Sequence, residues 1–408
     1  MRIALLHYSS PPIVGGVESV LAHHARLLAN DGHEVTILAG RGENYDQRIP
    51  VQILPRLDSR HAEVMEVKSA LDEGKLTPAF NILLEKIKSE LMAELNGFDI
   101  LIAHNVASLN KNLALTAALY DLNGTPNFPR IILWHHDLAW TTPRYRKELH
   151  DGNPWDLLRS NWKNVSQVVV SELRRSELAD LINISKDSIR VIPNGVDLNS
   201  FYKFEERTTQ LVEQLDLINA DPLFLLPVRL TPRKNIEFAL HILAELQKQY
   251  PNAMLLVTGP EGPHNPTNII YKENLLKLRD ALKLQGSVHF LAETTSEFLP
   301  DAVIADFYRL ADALLFPSLE EGFGIPIIEA AFSHIPVFCT DIPVLRELGG
   351  DDISYFSPDE SPDYAAKQIV KRLESETTSR WSRRAKHAYT WEQIYSLHIA
   401  PLIQKVSK

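Results

Sequence analysis

The chain has 408 residues, of which 45% are apolar and 23% charged, with a formal net charge of −10 and one cysteine. That length exceeds the size at which one hydrophobic core keeps growing, so two domains of roughly 200 residues are expected. The acidic balance excludes general affinity for nucleic acid, whose backbone is bound through clustered Lys and Arg, and the lone Cys339 excludes an intramolecular disulfide framework and suits a reducing compartment.

The opening strings RIALLHY, SSPPIVGG, a helical stretch over 17–30 closed by Gly32, and EVTILAG read as strand, loop, helix and strand. The start is too polar for a signal peptide, and no run approaches the roughly 20 apolar residues of a spanning helix, so a soluble cytoplasmic protein is expected. Gly15 and Gly16 lie at the strand-to-helix turn, where phosphate or sugar can approach the backbone at the amino end of the helix. A tight turn without a ligand fits them too, because the spacing is not Gly-x-Gly-x-x-Gly. Residues 56–95 are charged and helix-prone, more than a strand connection needs, and read either as an acceptor lid or as a solvated helical excursion.

The runs FDILIAH, RIILWHH, VSQVVVS and IRVIPN are short and apolar, as in a parallel sheet covered on both faces, and complete a first domain over 1–196. Polar residues at the carboxyl ends of such strands are where α/β proteins bind ligands, which singles out His104 and Trp134-His135-His136-Asp137. Adjacent histidines point in different directions and no His-Glu-x-x-His or Cys cluster accompanies them, so a sugar-contacting histidine is expected rather than a metal pair. The chain also lacks Asp-x-Asp, the usual mount for a donor-bound divalent cation. Between Trp140 and Trp162, aromatic and basic residues interleave, a mixture that suits loop packing, a polar acceptor or peripheral contact with an anionic membrane.

From PLFLLPVRL to PVFCT the βα rhythm repeats, giving a second doubly wound domain over 197–380. Residues 381–408 are helical and amphipathic, with Trp391, Ile394, Tyr395, Leu397, Ile399 and Leu402 as packing residues that return to the first domain. In PVRLTPRKN, Arg229 ends a strand, and Arg233 and Lys234 enter a helix expected from about Pro232. Cations there oppose the helix dipole unless an anion lies between them, which points to a diphosphate. In SLEEGFGIPIIEAA, Gly322 and Gly324 let the backbone approach a ligand, Pro326 suits a first helical turn, and Glu321 and Glu329 are placed to accept hydrogen bonds from vicinal hydroxyls.

Taken together, Gly15-Gly16, His136-Asp137, VIPNGVD at 191–197, Arg229 with Lys234, Gly259 and the 321–329 string resemble the retaining GT-B glycosyltransferases of family four. The resemblance runs through most of the chain and implies two Rossmann-like domains facing a central cleft. It implies that Arg229 and Lys234 hold a donor diphosphate, Glu329 the ribose, and Glu321 with Gly322, Phe323, Gly324 and Ile325 the transferred sugar. His136 would touch that sugar near its 6-hydroxyl, with Gly15 and Gly16 also on the donor. Two departures stand out: Thr258-Gly259-Pro260-Glu261-Gly262 replaces a frequent Gly-x-Gly, and the doubled His135-His136 leaves two candidates for one role.

The function so implied is metal-independent transfer, with retention, of a hexose from a UDP- or GDP-sugar to a small-molecule, glycan or lipid-linked acceptor, without a cofactor. A sugar phosphorylase or nucleotide-sugar epimerase on the same scaffold, and a non-catalytic nucleotide-sugar-binding protein, are the alternatives.

Overall fold

A computed structural model describes residues 1–260, 266–294 and 299–407; Glu261 and Gly262 of the second-domain loop lie outside them. The chain divides into two compact units, Met1–Gly195 with Trp391–Lys408, and Val196–Thr390.

The first unit holds a seven-stranded sheet of β1 (Arg2–His7), β2 (Glu34–Ala39), β3 (Val51–Ile53), β4 (Ile100–His104), β5 (Arg130–His135), β6 (Val165–Val169) and β7 (Ile189–Val191), in the order β3-β2-β1-β4-β5-β6-β7. The second holds β8 (Leu223–Leu226), β9 (Met254–Val257), β10 (Val288–Phe290), β11 (Ala313–Phe316), β12 (Val337–Thr340) and β13 (Ser354–Phe356), in the order β10-β9-β8-β11-β12-β13. Every pairing between these strands is parallel, with β1 against β4 and β8 against β11 at the two points where strand order reverses. Doubly wound sheets bind ligands at the carboxyl ends of the strands beside such reversals.

Side chains alternate across a strand, so a strand covered on both faces must be apolar throughout. In β1, Ile3 and Leu5 pack with Ile37, Ile102 and Trp134 on one face, while Ala4 and Leu6 pack with Leu38, Leu101 and Leu133 on the other. Sequence periodicity finds eleven of the thirteen strands in this way. It misses β3 and β13, three-residue edge strands that are only partly buried and so carry no apolar run.

Residues 56–95 form the helices Ala62–Asp72 and Pro78–Glu94, whose Val64, Val67, Leu71, Phe80, Leu83, Ile87 and Leu91 are buried. They are a packed layer of the first unit, neither a solvated excursion nor a detached lid. The aromatic stretch packs as well: Trp155 and Trp162 are buried, and the Trp162 indole N–H donates to the Leu157 carbonyl at 3.0 Å.

At the carboxyl end, the helix Thr377–Tyr389 stays with the second unit, so the change of unit falls at Trp391 rather than 381. Two ion pairs explain this, Arg383 with Asp221 at 2.6 Å and the buried Lys386 with Asp312 at 2.7 Å. Trp391, Ile394, Ile399 and Leu402 are buried in the first unit, whereas Leu397 is 59% exposed. A π-helical turn over Tyr395–Ile399 adds a residue to the turn and rotates Leu397 off the buried face. Trp391 also explains the glycine of VIPNGVD, because a Cβ on Gly195 would lie 2.6 Å from its ring. Among the described residues no helix is long and apolar enough to cross a membrane.

Candidate active site

At the β8/β11 reversal, the loop after β8 carries Arg229, Arg233 and Lys234, and the loop after β11 carries Glu321 through Gly324. A Cβ on Gly259 would lie 2.1 Å from the Val228 carbonyl oxygen, so only glycine lets the loop after β9 close on this one. The helix expected from Pro232 begins instead at Ile236: Pro232–Lys234 form a tight 3-10 turn, and Asn235 takes φ 51°, a left-handed conformation that asparagine tolerates. Lys234 is therefore clear of the helix amino end. It is buried, lies 5.4 Å from the centre of the Phe316 ring, and hydrogen-bonds the Glu321 carboxylate, itself only 8% exposed. Arg233 braces the same loop by donating to the Glu320 carbonyl at 3.0 Å.

Glu321 and Lys234, assigned separate tasks from sequence, are thus partners across 87 residues. Gly324 turns the chain at φ 105°, and a Cβ there would lie 2.7 Å from Leu345. The helix Ile325–Phe332 follows, with Glu329 fifth in it, so this acid is not one that complements the helix dipole from the first turn. Its Oε2 accepts a 2.7 Å hydrogen bond from Tyr308. Burial and the adjacent carboxylate raise the Tyr308 pKa well beyond the usual phenol range, so the hydroxyl remains a donor. Arg229 and Glu329 line one cavity of about 290 Å³ with Thr258, Gly259, Ile325 and Pro326. Exposed Arg229 makes no ion pair among the described residues. Gly322 faces open space, and Phe323 and Ile325 are exposed. The charged residues expected on the donor, Arg229, Lys234, Glu321 and Glu329, all belong to the second unit, but the cavity gathers only Arg229 and Glu329 of them.

At the β1/β4 reversal the first unit places a different set. Asn105, at φ 60° just beyond β4, accepts hydrogen bonds through Oδ1 from the backbone N–H of His136 at 2.7 Å and of Asp137 at 3.2 Å, fixing that loop. His136 lines a cavity of about 420 Å³ with Gly16, Glu18, Asp137 and Asn194. His135 points the other way and donates from Nε2 to Gln167 Oε1 at 2.7 Å. Between the two histidines, His136 is the one with access to a ligand. Its Nε2 lies 3.1 Å from His104 Nδ1, and His7 donates from Nδ1 to the His104 carbonyl at 2.9 Å. Burial lowers the pKa of His136 to about 3 and of His7 to about 4, so both rings are neutral near pH 7.

Gly15 and Gly16 differ from the expectation in kind. The amino end beside Gly15 is covered by Glu18, whose carboxylate would lie 2.0 Å from a Cβ on Gly15 and accepts from Ser9 Oγ at 2.6 Å. An acid already sits where a phosphate would approach. Gly16 faces open space and lines the cavity. Sequence reasoning missed Asn105, Gln167 and Tyr308. Only Asn105 carried a signal, an asparagine directly after a buried strand.

Residues 14–200 match the family model described as Glycosyltransferase Family 4, and residues 208–388 the one described as Glycosyl transferases group 1. The chain is 27% identical to mannosylglucosylglycerate synthase of Petrotoga mobilis over 85% of this chain and 84% of that one. It is 26% identical to the MMP α-(1→4)-mannosyltransferase of Mycolicibacterium hassiacum, over 86% and 84%. With the phosphatidyl-myo-inositol mannosyltransferase of Mycolicibacterium smegmatis it shares 26% identity over 100% of this chain and 94% of the other.

Proposed function

The chain belongs to the group 1 glycosyl transferases of GT-B architecture, and from that premise we propose that it transfers a hexose, specifically mannose, from a nucleoside-diphosphate sugar to an acceptor hydroxyl with retention. The observation that carries this reading is that one hollow at the β8/β11 reversal joins Arg229, a cation that makes no ion pair among the described residues, with Glu329, a Tyr308-braced carboxylate; Asp301 lines it too. Arg229 suits the diphosphate and Glu329 the vicinal hydroxyls of ribose. Mannose is favoured because the three relatives above, which carry different acceptor names, are all named for a mannosyl product or transfer.

In the proposed reaction the anomeric C–O bond to the diphosphate breaks while the acceptor oxygen bonds to the same carbon from the same face. The departing phosphate oxygen takes the acceptor proton. Arg229 and Lys234 stabilise the charge gathering on the diphosphate, so that no metal is needed, and Lys234 exchanges its bond to Glu321 for one to phosphate. Glu321 is then free to accept hydroxyls of the sugar, together with the backbone of Gly322, Phe323, Gly324 and Ile325. Neutral His136 serves as a hydrogen-bond partner to the sugar, not as an acid, at physiological pH.

Thermal stabilisation by GDP-mannose, UDP-glucose and their nucleoside diphosphates, followed by product analysis with an acceptor panel, tests this reading. An α-mannoside formed from GDP-mannose is expected. Conversion of donor without acceptor would mark an epimerase, phosphate-dependent glycoside cleavage a phosphorylase, and tight donor binding with no transfer a binding protein.

A further inference from the structure

The first unit carries a second hollow of about 330 Å³ that adjoins the His136 cavity and shares His7, Glu18 and Lys111 with it. Its wall is basic in a chain that has 52 acidic residues against 42 Lys and Arg. Two of its cations are answered: Arg41 by Asp58 at 3.2 Å, and Lys68 by Asp72 at 2.6 Å and Glu148 at 3.0 Å. Arg60 and Lys111 have no carboxylate partner among the described residues, Lys111 having only the Tyr8 ring at 5.8 Å. Arg144 of the adjoining cavity is likewise without a carboxylate and lies over the Tyr145 ring. Glu18 is the one carboxylate common to both hollows, and the Ser9 hydroxyl donates to it.

Like charges gathered in a hollow repel one another unless an anion joins them, and each gains most from a ligand that brings its own negative group. Arg60 and Lys68 come from the segment 56–95, which explains what that packed layer adds to the sheet. We propose that the acceptor is a polyol bearing a carboxylate or phosphate, with Arg60 and Lys111 holding the anionic group and Glu18 accepting a hydrogen bond from one of its hydroxyls. This places the reactive end of the acceptor toward the His136 cavity. The inference rests on the glycosyl-transfer reading above.

Matched acceptor pairs test it with the full chain and the donor that stabilises it best. Glucosylglycerate is compared with glucosylglycerol, and myo-inositol 1-phosphate with myo-inositol. Vesicles of phosphatidylinositol in phosphatidylcholine are compared with phosphatidylcholine alone, which separates soluble from lipid-borne sources of the same chemistry. The charged member of at least one pair should have a kcat/KM about 100-fold higher, roughly tenfold for each charged contact. Arg60→Ala with Lys111→Ala should abolish that preference, while Lys111→Arg should keep most of it. Equal use of both members of every pair, or an undiminished preference in the double variant, overturns the proposal. If no member is glycosylated, calorimetric binding of the charged members decides: no binding to the wild type, or equal binding to the double variant, overturns it. Absence of donor stabilisation would instead defeat the glycosyl-transfer reading.

Discussion

At the β8/β11 reversal the carboxylates are partnered, Glu321 by the Lys234 ammonium and Glu329 by the neutral Tyr308 hydroxyl, while Arg229 lines the cavity with no ion pair among the described residues. At the β1/β4 reversal the buried groups are imidazoles held neutral by burial, and the charges stand at the rim of two hollows. The same strand order thus places two hollows, and residue choice alone makes them differ; on the reading proposed above, one takes a diphosphate and the other a neutral sugar and its acceptor. The contrast teaches that fold fixes where ligands bind, while side-chain pairing decides which ligand is welcome.

The sharpest way to break that contrast is to remove the cations of the ionic site. Arg229→Ala and Lys234→Ala are each expected to lower kcat by about 10²- to 10³-fold. Lys234→Ala also leaves the buried Glu321 with only Arg233, 3.8 Å away, as its counter-ion, and so lowers stability as well as turnover. Binding of the nucleoside diphosphate compared with the bare nucleoside separates the two effects. A phosphate role predicts weakened diphosphate binding and unchanged nucleoside binding, and equal losses in both would reduce Lys234 to a structural partner. Next in size, Glu329→Ala should raise the donor KM about 10- to 100-fold. A donor lacking the ribose hydroxyls should lose as much affinity for the wild type and no more for the variant.

How legible this contrast was in sequence depends on range. Local signals sufficed for the strands, for the glycines and for the positions of Arg229 and Glu329, because apolar runs and turn residues act over a few positions. The Lys234 to Glu321 pair was invisible, since two residues 87 apart meet only once β8 and β11 lie side by side. The late helix start at Ile236 was hidden as well: Pro232 signals a first turn, and Asn235 entering the left-handed region cancels it. Residues 56–95 looked solvated because charged residues run through the segment, although an apolar residue at every third or fourth position of its helices is buried. Arg60 and Lys111 became notable only when the ion pairs of their neighbours were known.

Acid should distinguish the two units. Burial holds His24 and His136 at about 3 and His7 and His135 at about 4, against an ordinary 6.5. Below pH 6.5 the unfolded chain takes up protons that these rings refuse, so stability is lost as pH falls from about 6.5 toward 4. At pH 5 each contributes a loss of about 2 kcal/mol. In the second unit His289 and His387 shift the same way but are only partly buried. Calorimetry between pH 7 and 5 should show the transition of the first unit falling more steeply, and parallel shifts of both would contradict the assignment.

The smallest effect expected is the most selective, because it concerns a histidine outside the cavity. His24 is 1% exposed, its ring lies 4.5 Å from Trp134 and 5.4 Å from Trp391, centre to centre, and neither ring nitrogen has a hydrogen-bond partner among the described residues. A buried polar ring without partners loses its hydration and gains nothing in return. Phe fills a similar planar volume against two indoles without that loss, although its slightly larger ring must be absorbed by the packing. His24→Phe should therefore raise stability at pH 7 by about 1 kcal/mol and add about 2 kcal/mol more at pH 5 by removing one proton acceptor of the unfolded chain. His136→Phe should ease the acid loss in the same way yet lower turnover, since His136 lines the cavity and His24 does not. Equal effects of the two substitutions on turnover would show that the neutral imidazole at 136 acts only as packing.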